Sequence, residues 1–393
     1  MILEAFNRIT GVEVEALVTN EVPEGKTLDY KRDLPTDPSE LLRDVTAFAN
    51  ADGGDMIFGI DEKRDGQGQP TGLPASIVGL GAPNLEQEVL RLRSILDSNV
   101  DSKIIGIDSR ALATTAGPVV LLRIPRSEMA PHMIVQEGRT NSRFYVRTGA
   151  GKHPMDVDEI RAAFLASGDL EDRMEAFVAR RIEAILLGRT PVVLADSGRM
   201  VLHFVPYSAM RSKAEVDLAR IRDHVPRPMR CSGSDYRFNL DGLVSYHRYR
   251  DTGESRSYTL CFRSGVIEAV TSDFIQMRNG FAGCPGSGLQ EVLIDASRDA
   301  LSCLSRLEIS PPVAVFVSLL GVRGALWHVG DNYMQSGGGP YPFDRDIVRL
   351  PEVVARSVDV KPELLLRPIM DAIWQSVGWE RCHQFDAQGN YRQ

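Results

Sequence analysis

The clearest hydrophobic pattern in the chain lies between residues 41 and 60. Four apolar residues recur at the spacing of one helix face: Leu41, Leu42, Val45 and Phe48. The pair Gly53 and Gly54 permits a positive φ, and the following segment DMIFGID is typical of a buried strand. The pattern therefore predicts a helix that ends near Asn50, a turn, and a strand whose exit carries Asp61 and Glu62.

Further elements are predicted on both sides of this segment. Helical periodicity covers residues 84–99 and 156–165, and strand patterns cover residues 103–107, 118–124 and 143–147. Asp156 is the expected N-cap of the helix at 156–165, with Glu159 as its capping partner. The stretch 166–173 is predicted to contain a domain boundary.

The second half of the chain mixes helix and strand patterns. Helices are predicted at 170–187, 289–307 and 361–377, short strands across 191–270, and a buried strand at 313–319. Two glycine-rich segments, 280–288 and 336–340, are predicted as loops, because the first follows no clear strand of a βαβ unit. The expected fold class is α+β, with domains at 1–168 and 169–393.

Composition restricts the possible classes of protein. The 393 residues exceed what one hydrophobic core usually supports. The net charge is −8, and the first 168 residues hold 18 Lys and Arg against 25 Asp and Glu, which excludes a strongly basic nucleic-acid binder. The five scattered cysteines have no zinc-ligand spacing. We expect a cytoplasmic protein without a membrane partner, because no apolar run approaches roughly 20 residues and residues 1–10 lack a secretory signal.

The segment TLDYKRDL at residues 27–34 combines carboxylates with basic side chains. On a strand, Asp29 and Lys31 point to the same face. Carboxylates that converge from separate strands hold Mg²⁺ or Mn²⁺, and a nearby lysine balances the charge of a phosphate. The alternative is an exposed edge strand that its charges protect from aggregation.

A second group of basic residues lies near the end of the first domain. Alternation on a strand places Arg143, Tyr145 and Arg147 on one face, and Lys152 follows them after a glycine-containing turn. This face is the candidate contact for a nucleic-acid backbone, which Lys31 and Arg32 extend. The alternative is a solvated strand beside a turn. The string GAGKH does not complete a Walker A motif, so ATP binding by that route is rejected.

Three segments resemble a known family: EGKTLDYKRDLP, AFANADGGDMIFGIDE and FYVRTGAGKHPMDVDEI. They are similar, in order and spacing, to the Schlafen-type AlbA domain, with its acidic E-x4-E-x-K strand, its AFANT-x-GG segment and its late YxRxGS segment. The resemblance covers about residues 15–165. It implies a mixed-sheet domain that handles nucleic acid, since some animal members are metal-dependent endoribonucleases acting on tRNA and rRNA. Many bacterial members are named only for DNA or ATP binding.

The resemblance also implies site residues. Carried over by position, the family's three acidic residues are Glu24, Asp29 and Asp61, with Glu62 an adjacent alternative for the third. Asp29 stands where the family usually has glutamate, one methylene longer. The implied catalytic set is these three acids with Lys31, and the implied cofactor is Mg²⁺ or Mn²⁺ bound by the acids.

Two functions remain open at this stage. The first is a nucleic-acid-binding protein that cleaves structured RNA such as tRNA with a divalent metal. The second is a non-catalytic DNA- or RNA-binding regulator whose second domain senses a signal or binds a partner. A homodimer is expected by analogy with animal members, which pair two similar lobes around a groove.

Overall fold

The computed structural model describes residues 1–135, 143–149, 151–211, 215–231, 233–248, 253–272, 274–278, 281–328, 341–386 and 389–391. The loop predicted at 336–340 lies outside these residues. The chain forms two compact units, Met1–Asp169 and Leu170–Gln393. Each contains helices and sheets, which confirms the α+β class.

Among its described residues, the N-terminal unit contains ten strands, a short 3₁₀ helix at Phe6–Arg8 and the start of a long fourth helix. The strands are β1 (Leu28–Lys31), β2 (Gly53–Phe58), β3 (Ile60–Arg64), β4 (Pro70–Ile77), β5 (Val100–Asp101), β6 (Asp108–Thr114), β7 (Gly117–Pro125), β8 (Met133–Ile134), β9 (Arg143–Thr148) and β10 (Gly151–Pro154). The helices are α1 (Gly11–Thr19), α2 (Pro38–Ala49), α3 (Leu85–Asn99) and the first part of α4 (Val157–Leu186), whose residues from Leu170 onward belong to the C-terminal unit.

Two four-stranded sheets organise this unit. The first has the order β1-β2-β7-β6, in which only the β1–β2 pairing is parallel. The second has the order β10-β9-β8-β5. A separate hairpin joins β3 to β4. The predicted strand at 103–107 is wrong, because these residues are irregular and pairing with β7 begins at Asp108.

The helix, turn and strand predicted between residues 41 and 60 are confirmed. The Asp37 side chain caps α2 by accepting a hydrogen bond from the backbone N–H of Ser39. The four apolar residues of its predicted face are all buried. After the helix ends, Gly53 has a φ of +71°, and a Cβ there would lie 2.3 Å from the backbone nitrogen of Arg126. Only glycine fits this turn without strain.

Helix α4 differs from the sequence prediction. A single helix spans Val157–Leu186, whereas two helices separated near residues 166–173 were expected. Gly168 and the neighbouring Ser and Asp residues have low helix propensity, but the segment contains no proline, and the strong helix formers around them continue the helix. Asp156 and Glu159 form the expected cap: Asp156 Oδ1 accepts from the Glu159 N–H at 2.8 Å, and Glu159 Oε2 accepts from the Asp156 N–H at 2.9 Å.

In the part of the C-terminal unit that the structure describes, there are eleven strands, three further helices and a 3₁₀ helix at Leu218–His224. Its strands are β11 (Arg199–Pro206), β12 (Asp235–Phe238), β13 (Gly242–Arg248), β14 (Ser255–Phe262), β15 (Ile267–Thr271), β16 (Gln276–Arg278), β17 (Phe281–Pro285), β18 (Val313–Leu320), β19 (Leu326–His328), β20 (Ile347–Arg349) and β21 (Val353–Ala355). Its helices are α5 (Tyr207–Arg211), α6 (Gly286–Arg306) and α7 (Pro362–Gln375).

An antiparallel eight-stranded sheet forms the core of this unit, in the order β12-β13-β14-β15-β11-β18-β20 with β21 also paired to β18. Buried Glu268 ties this sheet to α4. Its carboxylate accepts hydrogen bonds from Arg181 at 2.8 Å and from Tyr258 at 2.8 Å, and it lies 2.9 Å from His203 Nε2. Burial raises the pKa of Glu268, but Arg181 and His203 outweigh it and bring the pKa to about 2.

The loop predicted at 280–288 is wrong where the structure describes it. Residues 281–285 form β17, which pairs in parallel with β19, and α6 begins directly after it. Strand β17 contains Gly283 and Pro285, and both weaken a strand pattern in the sequence. It pairs antiparallel with β16 and in parallel with β19, more than 40 residues away in the chain.

Candidate nucleic-acid interface

Asp29 lies at the centre of a buried group of charges in the N-terminal unit. It is 4% exposed, in the parallel strand β1. Its Oδ1 accepts a hydrogen bond from Arg147 at 2.9 Å, and its Oδ2 lies 2.8 Å from the ammonium of Lys31. Both carboxylate oxygens therefore face a cation.

Asp44 of α2 continues this group toward solvent. It is 2% exposed; its Oδ1 accepts a hydrogen bond from Lys152 at 2.5 Å, and its Oδ2 lies 3.7 Å from Lys31. Lys31 thus bridges Asp29 and Asp44, and the charges alternate as Arg147, Asp29, Lys31, Asp44 and Lys152. We call these five residues the charge cluster.

The charge cluster alters the titration of its members. Burial lowers the pKa of Lys31, but the carboxylates of Asp29 and Asp44 outweigh it and raise the pKa above its usual value. Burial raises the pKa of Asp44, while Lys31 and Lys152 act in the opposite direction. The lysine therefore stays charged across the physiological range.

Arg147 is a structural residue, and its predicted exposure on a nucleic-acid contact face is wrong. Its side chain is 2% exposed and donates to the carbonyl of Gly25 at 3.1 Å as well as to Asp29. The guanidinium lies 4.5 Å from the centre of the Phe48 ring. The strand alternation is as expected, but α2 packs over this face of β9 and buries Arg147.

The remaining predicted basic residues are at least partly exposed. Arg143 is exposed, and Arg32 has 58% of its side chain exposed beside Asp61. Lys31 and Lys152 keep 29% and 24% of their side chains exposed. Tyr145 is half-buried, and the Arg43 guanidinium lies 5.9 Å from its ring centre. Arg43 was not predicted, although it follows the apolar residues of α2 directly.

The carboxylates predicted to bind a metal have separate partners. Glu24 Oε1 accepts from the Tyr30 N–H at 2.6 Å, and Asp61 Oδ2 accepts from Arg32 at 2.5 Å. The alternative ligand, Glu62, accepts from the Gly72 N–H at 2.5 Å. Burial, and next the charge of Asp29, raises the pKa of Glu24 to about 7.

These residues do not fit a divalent metal. Across the described ranges, no group of three or more His, Cys, Asp or Glu side chains is arranged to hold a metal ion. A cation beside Asp29 would compete with Lys31 and Arg147 and would be repelled by both. The expected grouping of Glu24, Asp29 and Asp61 around Mg²⁺ or Mn²⁺ is therefore not formed in this arrangement.

Two polar residues that position the interface were missed in the sequence. Asn50, at the end of α2, donates to the carbonyls of His132 at 3.0 Å and Tyr145 at 2.9 Å, so it fixes α2 against β9. Asp44 follows Leu41 by three residues and precedes Phe48 by four, so it lies on the apolar face of α2. A carboxylate on that face was the signal of a buried ion pair.

Comparison with known proteins gives one family match. Residues 24–156, about a third of the chain, match the family described as Schlafen, AlbA_2. No curated protein matches the chain at a significant level. None of the described helices is long and apolar enough to cross a membrane.

The solved structures that resemble part of the chain include two from bacteria. One is the N-terminal domain of a protein from Nitrosomonas europaea related to the ATP-dependent DNA helicase RecG, at 16% identity and a TM-score of 0.27, with 36% of this chain and 88% of that chain covered. The other, from Corynebacterium diphtheriae, has 19% identity and a TM-score of 0.24, with 36% of this chain and 29% of that chain covered.

Proposed function

Because residues 24–156 match the Schlafen AlbA_2 family, we propose that the N-terminal unit binds nucleic acid through backbone phosphates and does not cleave it. The observation that carries the non-catalytic assignment is the state of Asp29, whose two carboxylate oxygens both face cations. An acid held in this way is a poor metal ligand and a poor general base.

The charge cluster also supports phosphate contact at its open end. Lys31 and Lys152 share the Asp44 carboxylate, and each keeps about a quarter of its side chain exposed. Glu40 also lies 3.8 Å from Lys152, so a phosphate would bind here in exchange for, or beside, carboxylates that already pair with these ammonium groups. An approaching phosphate would meet two ammonium groups that buried acids already hold in place, and Arg32 and Arg143 extend the same chemistry.

The binding proposal is tested with fluorescently labelled tRNA and duplex DNA at low salt. Arg143→Ala is expected to weaken binding about threefold to tenfold and to reduce the salt dependence by about one phosphate contact. Arg93→Ala is the matched control, because Arg93 bonds to Ser109 on β6, at the opposite edge of the sheet from Lys31. No affinity for either nucleic acid, or equal losses in the two variants, would contradict this assignment.

The metal-dependent ribonuclease is the alternative, and a cleavage assay separates it from binding alone. We expect tRNA to remain intact with Mn²⁺ or Mg²⁺, with the same result after EDTA is added. Metal-dependent cleavage that is lost in Asp29→Asn or Asp61→Asn would establish the enzyme instead. Homodimer formation remains a prediction, and sedimentation at micromolar concentration checks it.

A further inference from the structure

The C-terminal unit contains a strand, a glycine-rich turn and a helix in one continuous segment. Strand β17 ends at Pro285 and α6 starts at Gly286, with Ser287 and Gly288 completing its first turn. Strand β19 pairs in parallel with β17, and Pro285 lies opposite His328. The carboxyl ends of both strands therefore lie beside the N-terminus of α6, where α/β proteins bind their ligands.

The first turn of α6 has unused hydrogen-bond donors. A helix leaves its first N–H groups without partners inside the helix, and at the N-cap position Pro285 provides no capping hydrogen bond from its side chain. The helix spans 21 residues, so the positive end of its dipole lies at these N–H groups. Gly288 is exposed, and a Cβ placed there would meet nothing within 4 Å. A ligand can therefore approach the main chain closely.

A second donor, from β19, lies at the same turn. The indole Nε1 of Trp327 has no hydrogen-bond partner among the residues that the structure describes, although the side chain is fully buried. A Cβ placed on Gly286 would lie 2.5 Å from this nitrogen and 2.8 Å from the carbonyl oxygen of His328. The indole N–H therefore lies against the first residue of α6. An unpaired buried donor destabilises the folded state, and an acceptor bound at the turn removes that cost.

We infer that this turn, formed by Gly286, Ser287, Gly288 and Trp327, binds a phosphate group. The required ligand accepts several N–H groups from one side and carries negative charge that a helix N-terminus stabilises. A phosphate has both properties, with oxygens that accept from the main-chain N–H groups and from the indole of Trp327. This site lies in the C-terminal unit and is independent of the nucleic-acid contact proposed for the N-terminal unit.

The experiment uses the full chain in a phosphate-free buffer, with ¹⁵N-labelled tryptophan. The chain has three tryptophans, so Trp327→Phe assigns the indole resonance of Trp327. Addition of inorganic phosphate or adenosine monophosphate is expected to shift this resonance, and not those of Trp374 and Trp379. A stronger response to the monophosphate identifies a nucleotide as the ligand, and equal responses identify phosphate itself.

Three variants test the geometry by titration calorimetry and thermal unfolding. Trp327→Phe removes the N–H donor together with part of a fully buried ring, so binding is expected to weaken about tenfold, while the cavity left by the smaller ring lowers the unfolding temperature without ligand. Gly288→Asp places a carboxylate in the open space, which stabilises the helix N-terminus and weakens binding at least tenfold. Gly288→Asn has the same shape without the charge, so the loss of affinity in Gly288→Asp beyond that in Gly288→Asn measures the repulsion between the carboxylate and the phosphate.

Two results would overturn this site. The first is the absence of any shift of the Trp327 resonance with either ligand at millimolar concentration. The second is a shift of that resonance in the wild type together with unchanged affinity in both Trp327→Phe and Gly288→Asp, which would place the ion elsewhere.

Discussion

Asp29 and Arg147 show how one ion pair determines the chemistry of the N-terminal unit. Strand β1 brings the carboxylate into the interior, and α2 covers the guanidinium with Phe48. Isolated charges are very costly in such a place, so each must stay paired. The pair supports the contact between β1 and β9, and the same pairing removes Asp29 from metal chemistry.

The first prediction concerns this pair. Arg147→Met keeps most of the side-chain volume but leaves a buried carboxylate with one cation fewer, so we expect the free energy of unfolding to fall by about 3 kcal/mol. Combining it with Asp29→Asn should cost less than the sum of the two single changes by at least about 1 kcal/mol, because the partners interact directly. Urea unfolding measures all three values.

The control for this prediction is Arg32→Ala, which breaks the exposed pair with Asp61. It should change the free energy of unfolding by less than about 1 kcal/mol, since solvent screens the pair. Equal losses for Arg147→Met and Arg32→Ala would mean that burial does not determine the contribution of these pairs.

The second prediction concerns Glu24. Its pKa is about 7 in the folded protein, whereas the usual pKa of a glutamate is near 4.5. A raised pKa in an acid means that the folded state holds the proton more tightly. The contribution of Glu24 to stability is therefore fully present below about pH 4.5, falls between pH 4.5 and 7, and stays low above pH 7.

Glu24→Gln removes this titration and keeps an oxygen that can accept from the Tyr30 N–H. The quantity compared is the unfolding temperature of the variant minus that of the wild type. We expect this difference to be larger at pH 8 than at pH 5. Glu86→Gln, at an exposed position of α3, is the matched control and should show no such change. A constant difference between the two pH values for Glu24→Gln would contradict the raised pKa.

At the scale of elements, the sequence predicted α2, its turn and β2, because helical periodicity and a glycine pair are local signals. It predicted which residues of β9 share a face, but it assigned that face to solvent. Strand alternation shows only which residues share a face of the strand. Whether that face is buried depends on the packing of α2 against it. Strand β17 was missed because its glycine and proline weaken the local strand pattern, although it pairs with both β16 and β19.

The third prediction tests the turn after α2. Gly53→Ala forces a Cβ into a backbone with a φ of +71° and to 2.3 Å from the Arg126 nitrogen, so it should destabilise the protein by about 2 kcal/mol or more. Gly66→Ala is the matched control in the hairpin between β3 and β4, because a Cβ there meets nothing within 4 Å. Its effect should stay within about 0.5 kcal/mol. Equal effects of the two changes in thermal or urea unfolding would refute the role of the turn.

At the scale of the whole molecule, a net charge of −8 opposes association with a polyanion. The proposed binding therefore depends on a local group of cations rather than on the average field. The candidate contacts are four exposed or partly exposed side chains: Lys31, Arg32, Arg143 and Lys152. This number limits how strongly salt can weaken the complex.

The fourth prediction is the size of that salt dependence. Four phosphate contacts on duplex DNA give a slope near −3.6 in a plot of log affinity against log salt, which means a loss of roughly 100-fold between 50 and 200 mM. Anisotropy titrations of a labelled duplex across this range measure the slope, and Arg143→Ala should reduce its magnitude by about one. A slope of twice the predicted magnitude would mean that a larger surface than these four residues contacts the phosphates. A slope near zero would mean that phosphates do not hold the complex together, and the charge cluster would then have a purely structural role.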